Sequence, residues 1–85
     1  MIPIALVGHA HDCPIHGPGT IVSGASTAAI NGRPVARVGD RISCGAVIVS
    51  GSAVANIEGQ PVARQGDSTS HGGTLIEGDG NWLSA

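Results

Sequence analysis

The sequence predicts an all-β fold in which three near-equivalent units pack about a common axis. Three observations carry that prediction. Fourteen glycines and five prolines punctuate all 85 residues, which disfavours long helices and suits short strands joined by turns. No stretch sustains a helical period of apolar residues. A nine-residue motif recurs: Gly32-Arg33-Pro34-Val35-Ala36-Arg37-Val38-Gly39-Asp40 returns 27 positions later as Gly59-Gln60-Pro61-Val62-Ala63-Arg64-Gln65-Gly66-Asp67.

The first element, Pro3-Ile4-Ala5-Leu6-Val7-Gly8-His9, aligns with Pro34–Asp40 at an offset of 31, so the chain starts part-way through one unit and ends part-way through another. The first loop is a few residues longer than its counterparts. Thr20-Ile21-Val22-Ser23 and Val47-Ile48-Val49-Ser50 are β-branched runs halted by Gly24 and Gly51, and Gly78 continues the series. Such runs are usually core. Ala29-Ile30-Asn31-Gly32-Arg33-Pro34-Val35 sets an Asn-Gly turn between apolar stretches, a strong hairpin signal, and Asn56–Val62 repeats it with Glu58-Gly59. Small β units of this kind cannot each bury a face, so they must pack on one another.

Composition narrows the function. A net charge of -2 with four Lys+Arg excludes a basic nucleic-acid footprint. No apolar run approaches the roughly 20 residues of a membrane span, and the start lacks the basic segment of a signal peptide. The expectation is therefore a single domain over residues 1–85, made and folded in the cytoplasm, without an effector extension. With no Phe or Tyr and only Trp82, the core is poor, and chains this short often need a metal, disulfides or a partner.

The repeat places candidate metal ligands. Four residues beyond each Gly-(Asp/His) step lie Cys13, Cys44 and His71, one position seen in three units, and equivalent positions converge on a threefold axis. His16 in Cys13-Pro14-Ile15-His16 aligns with the same position when counted from the following glycine, and supplies a fourth ligand. Cys13, His16, Cys44 and His71 together suit a closed, tetrahedral, structural zinc, with iron as the alternative ion. A structural zinc can supply on the order of 10 kcal/mol of folding free energy. A Cys13–Cys44 disulfide is the other reading of the cysteines. His9 stands where Asp40 and Asp67 stand, so it should shape a turn or buttress a ligand; His11 reads as an exposed loop residue. Arg37 and Arg64 should hold turns through Asp40 and Asp67. Trp82 falls outside the repeat and should cover a core edge.

These motifs resemble the PAAR-repeat proteins, named for Pro-Ala-Ala-Arg. Pro34-Val35-Ala36-Arg37 and Pro61-Val62-Ala63-Arg64 carry the resemblance, with Cys-Pro-Ile-His-Gly-Pro, Ser-Cys-Gly-Ala and Ser-His-Gly-Gly around them. Both copies have Val for the first Ala, and Pro3-Ile4-Ala5-Leu6 lacks the Arg. The segment order is rotated relative to the commonest layout. The resemblance implies a conical module with its metal near the vertex. It would be a non-enzymatic tip that caps the trimeric VgrG spike of a type VI secretion system, one copy per trimer. It would sharpen the spike, meet the target membrane transiently, possess the capacity to carry effector proteins, and leave the cytoplasm with the spike. The tip of a phage-like contractile particle is the nearest alternative. A zinc hydrolase is disfavoured, because four protein ligands leave no position for water.

Overall fold

The Asn-Gly turn forms as predicted. Asn31 and Gly32 take φ of 53° and 79°, and Glu58 and Gly59 take 54° and 81°, the left-handed pair that a two-residue type I′ hairpin requires. The computed structural model describes residues 2–15 and 17–84, and no helix occurs among them. The strands are β1 (Ile2–Ile4), β2 (Ala10–Cys13), β3 (Gly17–Thr20), β4 (Ala29–Ile30), β5 (Arg33–Pro34), β6 (Asn56–Ile57), β7 (Gln60–Pro61), β8 (Thr74–Leu75) and β9 (Asp79–Ser84). Antiparallel pairing gives β1 with β9, β4 with β5, β6 with β7, and a three-stranded sheet ordered β3-β2-β8.

The three hairpins are copies of one another. Ala29 pairs Pro34 and Ile30 pairs Arg33; Asn56 pairs Pro61 and Ile57 pairs Gln60; Leu83 pairs Pro3 and Ser84 pairs Ile2. The third hairpin is thus assembled from the two ends of the chain. This register also puts Trp82 level with Ala28 and Ala55, inside the repeat rather than outside it. Nor is Trp82 buried: it is 51% exposed. Its sequence neighbours differ too much from those of Ala28 and Ala55 for the equivalence to show without the strand pairing.

Backbone hydrogen bonds close the three units into a ring. Ala5 N–H donates to the Ala63 carbonyl at 3.0 Å, Ala63 to Ala36 at 2.9 Å, and Ala36 back to Ala5 at 3.0 Å. A second circuit surrounds it, with Val7, Val38 and Gln65 donating to the carbonyls of Pro34, Pro61 and Pro3, each at 2.9 Å. All three alanines are fully buried. An interior that admits only a methyl group on the axis lets the backbones approach closely enough to bond. The molecule measures 29 × 23 × 23 Å, one long axis and two equal short ones.

The β-branched runs form isolated bridges, Ile21 with Ile42 and Ile48 with Thr69, more often than extended strands. Their side chains alternate: Ile21, Ile48 and Leu75 are buried, while Val22, Val49 and Ile76 face outward. The inward residues join Ile42 and the three alanines in one core cluster, with Cys44 packed against it. Leu6, Ile30, Val35 and Val62 form a second cluster with the hairpin residues. Each fully buried Ile or Leu contributes roughly 1.5–3 kcal/mol.

Two Arg–Asp brackets stiffen the turns, as the sequence predicts. Asp40 Oδ2 accepts from Arg37 N at 2.7 Å and from Arg37 Nε at 3.1 Å. Asp67 Oδ2 accepts from Arg64 N at 2.6 Å and Nε at 3.1 Å. The hydrogen bonds that the Arg37 and Arg64 guanidiniums donate to Asp40 and Asp67 hold them above their ordinary pKa. Ser23 and Ser50 hydroxyls complete the brackets by donating to Asp40 and Asp67 Oδ1.

Candidate metal centre

Cys13 ends β2, and Cys44 and His71 sit in the equivalent turns of the next two units. Two backbone bonds shape each of these later turns: Ile42 N–H to Ala46 O and Gly45 N–H to Ile42 O around Cys44, and Thr69 N–H to Gly73 O and Gly72 N–H to Thr69 O around His71. Gly45 and Gly72 adopt φ of 91° and 77° there, a region that a side chain disfavours, which is why Cys44 and His71 are each followed by glycine.

The ligand atoms converge. Cys13 Sγ lies 3.7 Å from His71 Nδ1, and Cys44 Sγ lies 3.8 Å from the same nitrogen. All three atoms fall within 4.8 Å of one another, a grouping able to hold a metal ion. A tetrahedral ion with sulfur at about 2.3 Å and nitrogen at 2.0–2.1 Å sets sulfur and nitrogen about 3.6 Å apart. Cys13 is buried, Cys44 is partly exposed, and both are thiols rather than a disulfide. His16, the fourth residue that the sequence points to, lies outside the described residues.

His11 overturns its expected place. It is fully buried in β2, not exposed on a loop. Two residues before Cys13, it matches Ile42 and Thr69, which precede Cys44 and His71 by the same step, so it occupies a core position. The repeat registration that located the ligands contained this signal. Its Nε2 lies 2.8 Å from Thr69 Oγ1, across the axis. Its Nδ1 is buried without a hydrogen-bond partner among the described residues. Burial pushes its pKa down, against an opposing pull from Asp12 and with a smaller push from the neighbouring His71. Gly73 makes room for the ring: any side chain there would collide with His11 and the Asp12 carbonyl.

His9 shapes a turn, as expected. Its Nδ1 accepts the Leu6 backbone N–H at 3.0 Å, the bond that Asp40 and Asp67 make to Arg37 and Arg64. Burial, reinforced by Arg33, lowers its pKa, against Glu77 and Asp79.

With the threefold repetition and the converged Cys/His set in view, the family comparison is direct: the PAAR motif matches residues 1–50 and 47–77. The chain belongs to the PAAR motif family. Members are structural components of secretion spikes, and this PAAR protein is spike-associated in that general sense. No curated protein matches the chain.

Proposed function

We propose that this PAAR protein is a non-enzymatic cap for the trimeric VgrG spike of a type VI secretion system. One copy would sit on each trimer. The observation that carries this reading is the closed ring through Ala5, Ala36 and Ala63, because one chain with three equivalent faces can meet three identical subunits alike. Val22, Val49 and Ile76 support it: they occupy equivalent outward positions and are 52%, 54% and 52% exposed.

Cys13, Cys44 and His71, with His16 as fourth ligand, would hold one structural zinc. Two thiolates and two imidazoles suit zinc and fill its tetrahedron, which leaves no position for a substrate. When bound, the ion supplies a cross-link between units and no reaction. The chain's own residues do the rest: the post-ligand glycines turn the backbone, and His11 with Gly73 backs the ligand turns. The protein would fold in the cytoplasm, leave with the spike, touch the target membrane briefly and serve as a seat for effectors.

Two measurements test the reading. Light scattering on a mixture with the trimeric spike protein should give one copy per trimer; three copies, or no complex, contradict the cap. Metal analysis should find about one zinc per chain, with chelation lowering the melting temperature. A metal-free protein of unchanged stability contradicts the pinned site.

A further inference from the structure

The two cysteines are the only ones in the chain, and they stand together. Cys13 Sγ, Cys44 Sγ and His71 Nδ1 lie within 4.8 Å of one another, where a disulfide needs sulfurs about 2.05 Å apart. The pair is asymmetric: Cys13 is 2% exposed, whereas Cys44 is partly open to solvent. An oxidant therefore reaches Cys44 first, with a second thiol already beside it and no other cysteine to compete. That arrangement, an accessible thiol next to a sheltered resolving thiol, is the one that yields a disulfide rather than over-oxidation.

We propose that Cys13 and Cys44 form a redox couple that replaces the metal cross-link by a covalent one when the protein meets peroxide. In the first step the Cys44 thiolate attacks one oxygen of hydrogen peroxide. The sulfur–oxygen bond forms, the oxygen–oxygen bond breaks, and hydroxide leaves to take a proton from solvent as water. Cys44 is then a sulfenic acid, oxidised by two electrons. In the second step the Cys13 thiolate attacks Cys44 Sγ. The sulfur–sulfur bond forms, the sulfur–oxygen bond breaks, and a second hydroxide leaves as water. Overall two thiolates, one peroxide and two protons give one disulfide and two waters.

Two imidazoles remain, too few to retain the ion, so metal is released as the disulfide forms. The release rests on the metal reading above; the sulfur chemistry does not. Cys13 belongs to one unit and Cys44 to the next, so the disulfide ties two of the three units that the metal would join, and His71's unit is released.

The experiment uses the full chain, as purified and after chelation, freed of reductant and titrated with hydrogen peroxide. Non-reducing mass spectrometry should show a monomer about 2 Da lighter than the reduced chain, and peptide mapping should find Cys13 joined to Cys44. In the metal-loaded sample a colorimetric chelator should report one zinc freed per cross-link, and reductant with added zinc should reverse both. Cys44→Ser should consume peroxide at least about tenfold more slowly, because the remaining thiol is sheltered. If that variant does not fold, the map of the unaltered chain decides alone. Sulfinic or sulfonic acid at Cys44, or disulfides between chains, in place of the internal bond overturns the proposal. A cross-link in the chelated protein without zinc in the purified one would sustain the couple and remove the metal reading instead.

Discussion

The Leu6 N–H donates to His9 Nδ1 at 3.0 Å, reproducing with a neutral pair what Arg37 with Asp40 and Arg64 with Asp67 do with ions. Arg and Asp have been exchanged together in this unit. A fully buried Leu6 could not balance a carboxylate at position 9, whereas imidazole offers a lone pair without a charge.

That substitution makes the turn sensitive to acid. The folded protein holds His9 below its ordinary pKa of 6.5, so the unfolded chain binds the proton first. The stability His9 contributes is present above pH 6.5 and is lost as pH falls below it towards the folded value. Denaturant melts at about pH 7.5 and 5.5 should show a larger loss for the unaltered chain than for His9→Asn, which keeps an uncharged acceptor. Equal losses would contradict the assignment.

The ionic brackets should be costlier to break from the carboxylate side. Asp67→Ala strands the Arg64 N–H and guanidinium and a Ser50 hydroxyl, and should destabilise by about 2–3 kcal/mol. Arg64→Ala removes one ion from a partly exposed pair and should cost about 1 kcal/mol. Urea unfolding of both variants checks the order.

Glu58 gives a second acid transition at lower pH. Its carboxylate accepts from Thr27 and Ser26 hydroxyls and the Thr27 N–H, and from Arg37 Nη1 at 2.6 Å. The Thr27 and Ser26 hydroxyl bonds, in that order, lower its pKa from 4.5 to about 2. Its contribution is complete above pH 4.5 and lost as pH falls towards 2. Acid unfolding of Glu58→Gln should lack this component, and a superimposable profile would refute it.

Close packing at the repeat glycines is equally open to test. A Cβ at Gly51 would lie 2.8 Å from the Val62 carbonyl oxygen, and one at Gly24 would lie 2.9 Å from that of Val35. Gly51→Ala should cost about 1–3 kcal/mol. Gly80, where a Cβ would meet none of the described residues within 4 Å, should accept alanine within about 0.5 kcal/mol.

The hairpin formed by the chain ends predicts a tolerated rearrangement. Ser84 and Ile2 pair as Ile30 pairs Arg33 and Ile57 pairs Gln60. Joining Ser84 to Ile2 through Asn-Gly and opening the chain between Asn31 and Gly32 should leave a folded protein of similar melting temperature. A molten or unfolded product would contradict the equivalence of the three hairpins.

Much of this architecture is legible in the sequence because each unit states it again. Asn31-Gly32 and Glu58-Gly59 mark their own turns, the Arg–Asp spacing marks its brackets, and counting from Gly39-Asp40 and Gly66-Asp67 brings Cys44 and His71 to one point. Single residues mislead where a unit departs from its copies. His11 looks like a loop residue because its polarity hides a position filled by Ile42 and Thr69 elsewhere. Trp82 looks extraneous because nothing in its side chain resembles Ala28 or Ala55. The alanine ring is a backbone feature, and side-chain patterns do not encode which carbonyl an amide meets.

That ring has a bearing on how the protein comes apart. A linear stack of repeats has terminal members that fray first. A circuit in which Ala5 bonds Ala63, Ala63 bonds Ala36 and Ala36 bonds Ala5 has no terminal member, since removing any unit leaves both neighbours with an unanswered amide or carbonyl on the axis. Cohesion of this kind is shared by all three units or lost by all three, so the molecule has no part that can be shed alone.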